Sequence, residues 1–289
     1  MKFGMRYCNT SAYTDAAKAV ELAEAAEEAG FDSLWTVEHT IVPKDYQPNY
    51  PYAQGGKMAG GAEDIPLPDP LIWMAYVAAR TSTIKLATGI LILPQHNAVH
   101  VAKQVATLDA LSNGRIILGI GVGWMEEEFR VLNANFAERG PRTDDAIRAL
   151  RVLWSDSPAE YHGTHIDFDP LYCEPRPVNR HVPIIVGGHS KAAARRAGRL
   201  GDGFFPARDA PADLIALTKQ TAAEVGRDPA EIEITVSMPD DPAELNALAA
   251  AGVDRVAVPV TSMAGLNTAI TSPEDALTWK QRIADFSGN

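Results

Sequence analysis

The residues able to do chemistry in this 289-residue chain fall into four short stretches. Gly187, Gly188, His189 and Ser190 stand between the apolar run VPIIV and the helical pattern KAAARRAG. Two glycines and a hydroxyl residue at a helix start can cradle an anion, because free backbone N–H groups and the positive end of the helix dipole point the same way. Ser190 alone serves equally as a plain N-cap, and Arg195, Arg196 and Arg199 as a solvated helix face. Val37, Glu38 and His39 close a second apolar run just ahead of a long loop. A histidine there can donate a proton or hydrogen-bond a ring nitrogen or carbonyl, and it can equally be structural.

The third stretch, GIGVGWMEEEF, begins at Gly119 and holds glycines that would let the backbone approach a ligand closely. It fails as the dinucleotide fingerprint G-x-G-x-x-G, because Trp124 or Glu126 occupies the third glycine position. Glu126, Glu127 and Glu128 would complement the dipole of a first helical turn, with a catalytic part for any of them left open. The fourth stretch, TGILILPQHNAVH, puts Gly89 inside an apolar strand, the mark of a bulge or a close backbone approach. His96 and His100 follow without the H-E-x-x-H pattern, so no metal is expected. With no G-x-S-x-G elbow, a serine hydrolase has no support.

Eight strand-like runs must position these stretches: 2–7, 33–37, 84–91, 115–120, 183–186, 203–206, 231–237 and 254–258. Most are short continuous apolar runs, as parallel strands buried on both faces require. Helical patterns lie between them at 15–29, 99–111, 143–153, 191–200, 212–225 and 242–251. Four strands are entered through AGFDSL, SNGRII, LGDGFF and AGVDRV, each with a glycine just past a helix, where a left-handed residue ends the helix cheaply. This alternation demands right-handed crossovers, and eight units favour closure. The expectation is one α/β domain over 1–289, a (β/α)₈ TIM barrel, in preference to an open doubly wound sheet. In such a barrel the chemistry sits where strands end and βα loops begin.

Two stretches break the rhythm. Residues 40–69, rich in proline and glycine, should form a long loop over the barrel mouth after strand two. Residues 155–181 read as an excursion before strand five with a short hairpin, EYHGTHIDF. The formal net charge of −11 disfavours nucleic acid and anionic membrane as partners. No apolar stretch reaches the roughly 18 residues of a membrane span. The start, MKFGMRY, reads as a first strand and not as an export signal. Cys8 and Cys173 are too few for a disulfide framework, so a reducing cytoplasm is expected.

From strand one to about residue 260 the chain resembles the luciferase-like oxidoreductases, the bacterial luciferase superfamily that uses FMN or the deazaflavin coenzyme F420. The resemblance is carried by DSLWTVEH, by TGILILPQHNAVHVAKQVATLDALSNGRIILGIGVGWMEEEF, by PRTDDAIRALRVLW and by VPIIVGGHSKAAARRAGRLGDGFFP, in that order. It implies a cofactor lying across the mouth, with a non-prolyl cis peptide at Gly89 and Ile90 backing its ring. It also implies a phosphate-binding stretch at Gly187, Gly188, His189 and Ser190, and a cofactor side chain along Val122 and Gly123. Glu38 and His39 match an acid–histidine pair at the ring's edge, with His39 the catalytic candidate.

The combination of EH after strand two, GVGWMEEEF and GGHSKAAARRAG looks most like the F420-dependent branch, whose reduced cofactor transfers hydride to or from a small organic substrate. An FMN-dependent monooxygenase is the alternative, and a non-catalytic flavin-binding protein the second. One departure matters: the F420-dependent glucose-6-phosphate dehydrogenases carry a catalytic glutamate where Trp124 stands. They also place a threonine and a lysine beyond strand six, near Ala207 and Arg208 here, so oxidation of a sugar phosphate is not expected. Trp124, Tyr46 and Tyr50, with Tyr52, are expected to line an aromatic substrate pocket under the loop, and Trp35 to be core. A homodimer is expected by analogy with the family alone.

Overall fold

The computed structural model describes residues 1–53, 55–58, 61–207, 209–261 and 270–287. The apolar runs become parallel strands β1 (Lys2–Arg6), β2 (Ser33–Thr36), β3 (Lys85–Thr88), β4 (Leu91–Ile92) and β5 (Ile116–Gly121). After an antiparallel hairpin of β6 (Ala159–His162) and β7 (Asp167–Leu171) come β8 (Ile184–Gly187), β9 (Gly203–Phe205), β10 (Glu233–Ser237) and β11 (Arg255–Pro259). Their order is β3-β2-β1-β11-β10-β9-β8-β5-β4, and a further β3–β5 pairing closes the sheet on itself. Since β3 and β4 are two pieces of one barrel strand, the result is the closed eight-stranded α/β barrel expected.

Around it lie α1 (Ala16–Ala29), α2 (Pro70–Ala78), α3 (Ala98–Leu111), α4 (Glu126–Val131) and α5 (Arg139–Ser155). They are followed by α6 (Lys191–Leu200), α7 (Ala212–Glu224), α8 (Leu245–Ala250), α9 (Pro273–Leu277) and α10 (Lys280–Ser287). Among the described residues no helix is long and apolar enough to cross a membrane. Asp15 caps α1 by accepting from the Ala17 and Lys18 amides, and Gly30 ends it with a left-handed φ of 89°. Gly114 and Gly252 also have positive φ, but Gly201 does not: it is extended, with φ −89°. Packing explains that glycine instead, because a Cβ there would stand 2.9 Å from Val186 Cγ2. Helix α2 escapes a reading of the sequence because PLIWMAYVA is apolar on nearly every face and has no polar side to mark a period.

Three layers fill the barrel. At the N-terminal ends of the strands Arg255, with no exposed surface, pairs with Asp32 at 2.8 Å and with Glu233. Above it Trp35, Ala87, Ile117, Ile185 and Ala257 form a buried cluster, so Trp35 is core as expected. Phe205 meets the Trp35 ring edge-on, centroids 5.4 Å apart, and roofs that cluster.

The third strand holds one residue too many for its neighbour. Ala87 lies level with Ile117 and Leu91 with Ile120, so four steps on one strand span three on the other. The surplus falls at Gly89–Ile90, whose peptide bond is cis. Strand β5 makes room for it: a Cβ on Gly119 would sit 1.8 Å from the Thr88 carbonyl oxygen. The Ile90 side chain fills the space a Cβ would need on Gly121 and on Gly187, at 2.6 and 2.5 Å. This corrects the expectation for Gly119, which serves the neighbouring strand and not a ligand. Gly119→Ala should therefore destabilise the fold by about 1–3 kcal/mol, the usual range for overpacking. A lowered urea midpoint with unchanged slope would register it, and a wild-type midpoint would refute the packing argument.

Candidate active site

A cavity of about 210 Å³ opens at the C-terminal ends of the strands. Nearly every strand end supplies part of its wall: Arg6 and Tyr7 after β1, Glu38 and His39 after β2, Gly89, Ile90 and Ile92 from the third strand. Gly121, Val122, Gly123 and Trp124 follow β5, Gly187 and Gly188 belong to the β8–α6 turn, and Phe205 and Ala207 to the end of β9. The long loop after β2 covers the mouth as expected, contributing Tyr50, Tyr52, Met58 and Leu67. Arg208 lies outside the described residues.

Glu38 and His39 both line the cavity, and each is held by a partner from elsewhere in the chain. The Glu38 carboxylate accepts from the Ile92 amide and lies 2.8 Å from His96 Nε2. His39 Nδ1 instead lies 2.9 Å from Glu128 Oε2. Glu128 Oε1 accepts from the Thr40 and Ile41 amides at 2.8 and 3.3 Å, and the side chain has no exposed surface. Burial by itself would raise the Glu128 carboxyl, but the hydrogen bond and charge of His39 outweigh it and hold it below the usual carboxylate range. Burial likewise opposes protonation of His96, and the Glu38 carboxylate overcomes it, raising that imidazole above its ordinary value.

From the sequence Glu128 stands only as one of three acids whose catalytic part is open, and His96 only as a histidine without a metal motif; neither pairing is legible there. The one available signal for Glu128 was the run of three acids in the first turn of α4, and it served a different end from dipole compensation. Glu127 accepts from the Gln47 amide at 2.9 Å while Glu128 holds residues 39–41, so this short helix fastens the mouth loop. Arg6 was also missed; its signal was a charged residue at the C-terminal end of an otherwise apolar strand.

The glycine-rich turn after β8 divides into two parts. Gly187 and Gly188 line the cavity, Gly188 with φ +127° and with no neighbour but Ala193 near the position of a Cβ. His189 and Ser190 follow without lining the cavity. His189 Nδ1 is buried with no hydrogen-bond partner. Ser190 accepts from the Ala193 amide at 3.2 Å as the N-cap of α6. The Gly188 amide is taken by the Phe205 carbonyl at 3.2 Å, so it is the N-terminus of the ten-residue helix α6 and the orphaned ring nitrogen of His189 that fit an anionic group.

The aromatic wall is Trp124 with Tyr50 tilted against it, ring centroids 5.1 Å apart, and His39 edge-on at 5.7 Å. Tyr46 stands behind: it is 2 % exposed, packs edge-on to Trp124 at 5.6 Å and accepts from the Met58 amide. It supports the wall and does not line it, because its ring is sandwiched between Trp124 and the Lys57 ammonium, 3.7 Å from its centroid. His100 is exposed and His96 is engaged by Glu38. Among the described residues no three His, Cys, Asp or Glu side chains are grouped to hold a metal.

Residues 1–286 match the luciferase-like monooxygenase family. An uncharacterized protein of Mycobacterium tuberculosis is 32% identical over 234 residues, 80% of each chain. An F420-dependent glucose-6-phosphate dehydrogenase of Kineococcus radiotolerans is 30% identical over 239 residues, 78% of this chain and 66% of that one. Among solved structures, monooxygenase RslO1 from Streptomyces bottropensis superposes with a TM-score of 0.64 at 26% identity, over 87% of this chain and 75% of that one. An F420-dependent secondary alcohol dehydrogenase reaches 0.74 over 97% of each chain, at 18% identity a likeness of fold. The chain thus belongs to the luciferase-like monooxygenase family and is an oxidoreductase of that family.

Proposed function

We propose that this chain, as one barrel domain, is an F420-dependent oxidoreductase that moves hydride between the deazaflavin and a small organic substrate. The observation that carries the reading is the mouth cavity itself, with an anion cradle at the β8–α6 turn, a backbone bulge at Gly89 and Ile90, and His39 held at its wall by a buried carboxylate. Gly187, Gly188, His189 and Ser190 would hold the cofactor's phosphate, Val122 and Gly123 its side chain, and Gly89 and Ile90 the back of its ring, with Glu38 and His39 at the ring's edge. When bound, the deazaflavin supplies a carbon centre that gives or takes hydride and reacts poorly with O₂. The F420-dependent relatives at 30–31% identity support this branch. Trp124, in place of the glutamate of those dehydrogenases, favours an organic substrate over a sugar phosphate. A cytoplasmic setting and a homodimer packed through barrel helices remain part of the proposal by family analogy.

His39 is the residue placed to hold or pass the proton that accompanies hydride transfer. Its Nδ1 is turned to Glu128, which orients the ring and leaves Nε2 as the nitrogen free of that bond. Trp124 and Tyr50 shield this edge from bulk water. Glu128 is a positioning residue: it fixes the imidazole and the first loop residues at once.

Titration of the purified protein with F420 and with FMN, followed by fluorescence, tests the assignment directly. Saturable F420 binding at least tenfold tighter than FMN is expected; the reverse order would replace the reading by an FMN-dependent monooxygenase. His39→Ala should lower kcat by about 10²–10⁴ while changing the cofactor Kd little, and equal losses in both would make it a binding residue only. The pH dependence of Glu128 has a definite sign. Its carboxyl is held below its unfolded value, so its stabilisation is complete above roughly pH 4.5 and lost as pH falls through the lowered value. Glu128→Gln should cost about 1.5–3 kcal/mol at pH 7, and the gap from wild type should close on acidification below about pH 4.5. A gap that stays constant down to pH 3 would mean that the charge does not matter.

A further inference from the structure

The mouth cavity contains a cation that the protein does not neutralise. Arg6, the last residue of β1, lines the cavity and is 7 % exposed. Its Nη1 donates to Ser237 Oγ at the end of β10, and its Nε is buried with no hydrogen-bond partner. Two acids of this end of the barrel are engaged elsewhere: Glu38 with His96 and Glu128 with His39. Among the described residues no carboxylate stands within ion-pair distance of Arg6. The guanidinium rests instead against aromatic faces, 4.4 Å from the Tyr7 ring centroid and 5.3 Å from that of Phe205. Such contacts favour a cation without cancelling its charge. A buried charge left without a counter-ion destabilises the protein that carries it, and a ligand that brings the opposite charge relieves the penalty.

Topology separates this cation from the cofactor's proposed place. Strands β1 and β10 flank β11, on the arc of the closed barrel opposite β5. Arg6 therefore enters the mouth from the side of the barrel away from the Gly89–Ile90 bulge, its guanidinium reaching toward Phe205 of β9, and Ser237 anchors it from outside the cavity lining. Among the described lining residues Arg6 is the one fixed cation, which suits a monoanion better than a phosphate dianion.

We infer that Arg6 determines specificity in the substrate site by binding the carboxylate of a small organic acid whose nearby hydroxyl or carbonyl carbon is the reacting centre. The inference rests on the proposed placement of the cofactor on the β3–β5–β8 side. A planar guanidinium meets a carboxylate with directed, charge-assisted hydrogen bonds, and Ser237 anchors one of its nitrogens so that the group is oriented before the ligand arrives. Trp124, Tyr50 and Met58 supply the apolar walls for the acid's carbon body.

Benzoate, with benzyl alcohol as its uncharged counterpart, is the probe, and the fluorescence of the protein, whose Trp124 lines the cavity, is the readout. Wild type should bind benzoate saturably, and Arg6→Met should bind it at least tenfold more weakly while benzyl alcohol binding changes less than twofold. Because the substitution removes an uncompensated buried charge, Arg6→Met should melt no lower than wild type. Should it fail to fold, Arg6→Gln, neutral and polar, carries the same expectation. Equal benzoate affinity in variant and wild type, or no benzoate binding in wild type, would overturn the inference. So would a tenfold loss of F420 or FMN affinity in Arg6→Met with benzoate unchanged, which would assign the residue to the cofactor. The two readings fail separately: a wild type that binds F420 but not benzoate sinks this inference alone, and one that binds benzoate but not F420 sinks the proposed function.

Discussion

Ile90 enters the barrel at a point where side chains from the neighbouring strands would collide with it. The chain resolves the conflict by placing Gly121 and Gly187 beside the isoleucine and Gly119 beneath the Thr88 carbonyl, so that two strands, β5 and β8, yield to the extra residue of a third. Much of the mouth depends on that accommodation. With the Ile90 side chain turned inward among glycines, the cavity is lined on this side by Gly89, Gly121, Gly187 and Gly188. The displaced third strand also brings the Ile92 amide to Glu38, and through Glu38 fixes His96. A barrel with regular third and fifth strands would have had side chains where this one has a groove.

A second constraint is electrostatic. Glu128 is fully buried, and a buried carboxylate is tolerated only when its oxygens are satisfied. Here one oxygen takes His39 and the other the Thr40 and Ile41 amides, so the need to satisfy the charge orders the start of the mouth loop. Helix α4 has six residues, too few to persist alone in water, and its acids gain their partners from the loop they fasten. Loop, helix and histidine are therefore one cooperative unit. Asn9 adds a further tie, donating to the Val37 and Pro68 carbonyls and so joining both ends of the loop region to the segment after β1.

The distribution of charge within the mouth is as informative as its shape. The chain as a whole carries −11, yet the acids of the mouth are matched by histidines and amides while Arg6 is left to aromatic rings and a hydroxyl. Local desolvation and not net charge governs what such a cavity attracts, because interactions inside it are weakly screened.

What the sequence alone determined about this protein is everything that follows from local pattern. Parallel strands buried on both faces must be continuous apolar runs, helices between them must end cheaply, and both marks survive in AGFDSL, SNGRII and AGVDRV. Eight such units imply closure, and closure places Glu38, His39, Trp124 and the Gly187–Gly188 turn at one rim. Only the tertiary structure decided which groups meet there. Glu38 and His96 are 58 residues apart and His39 and Glu128 are 89 apart, so their pairing leaves no periodicity to read. The same holds for Tyr46, drawn behind Trp124 by packing, for helix α2, whose uniformly apolar surface conceals its period, and for Arg6. In strand one that residue looks like any charge at a strand end, and only the closed barrel gives it a cavity on one side and, among the described residues, no acid within ion-pair distance.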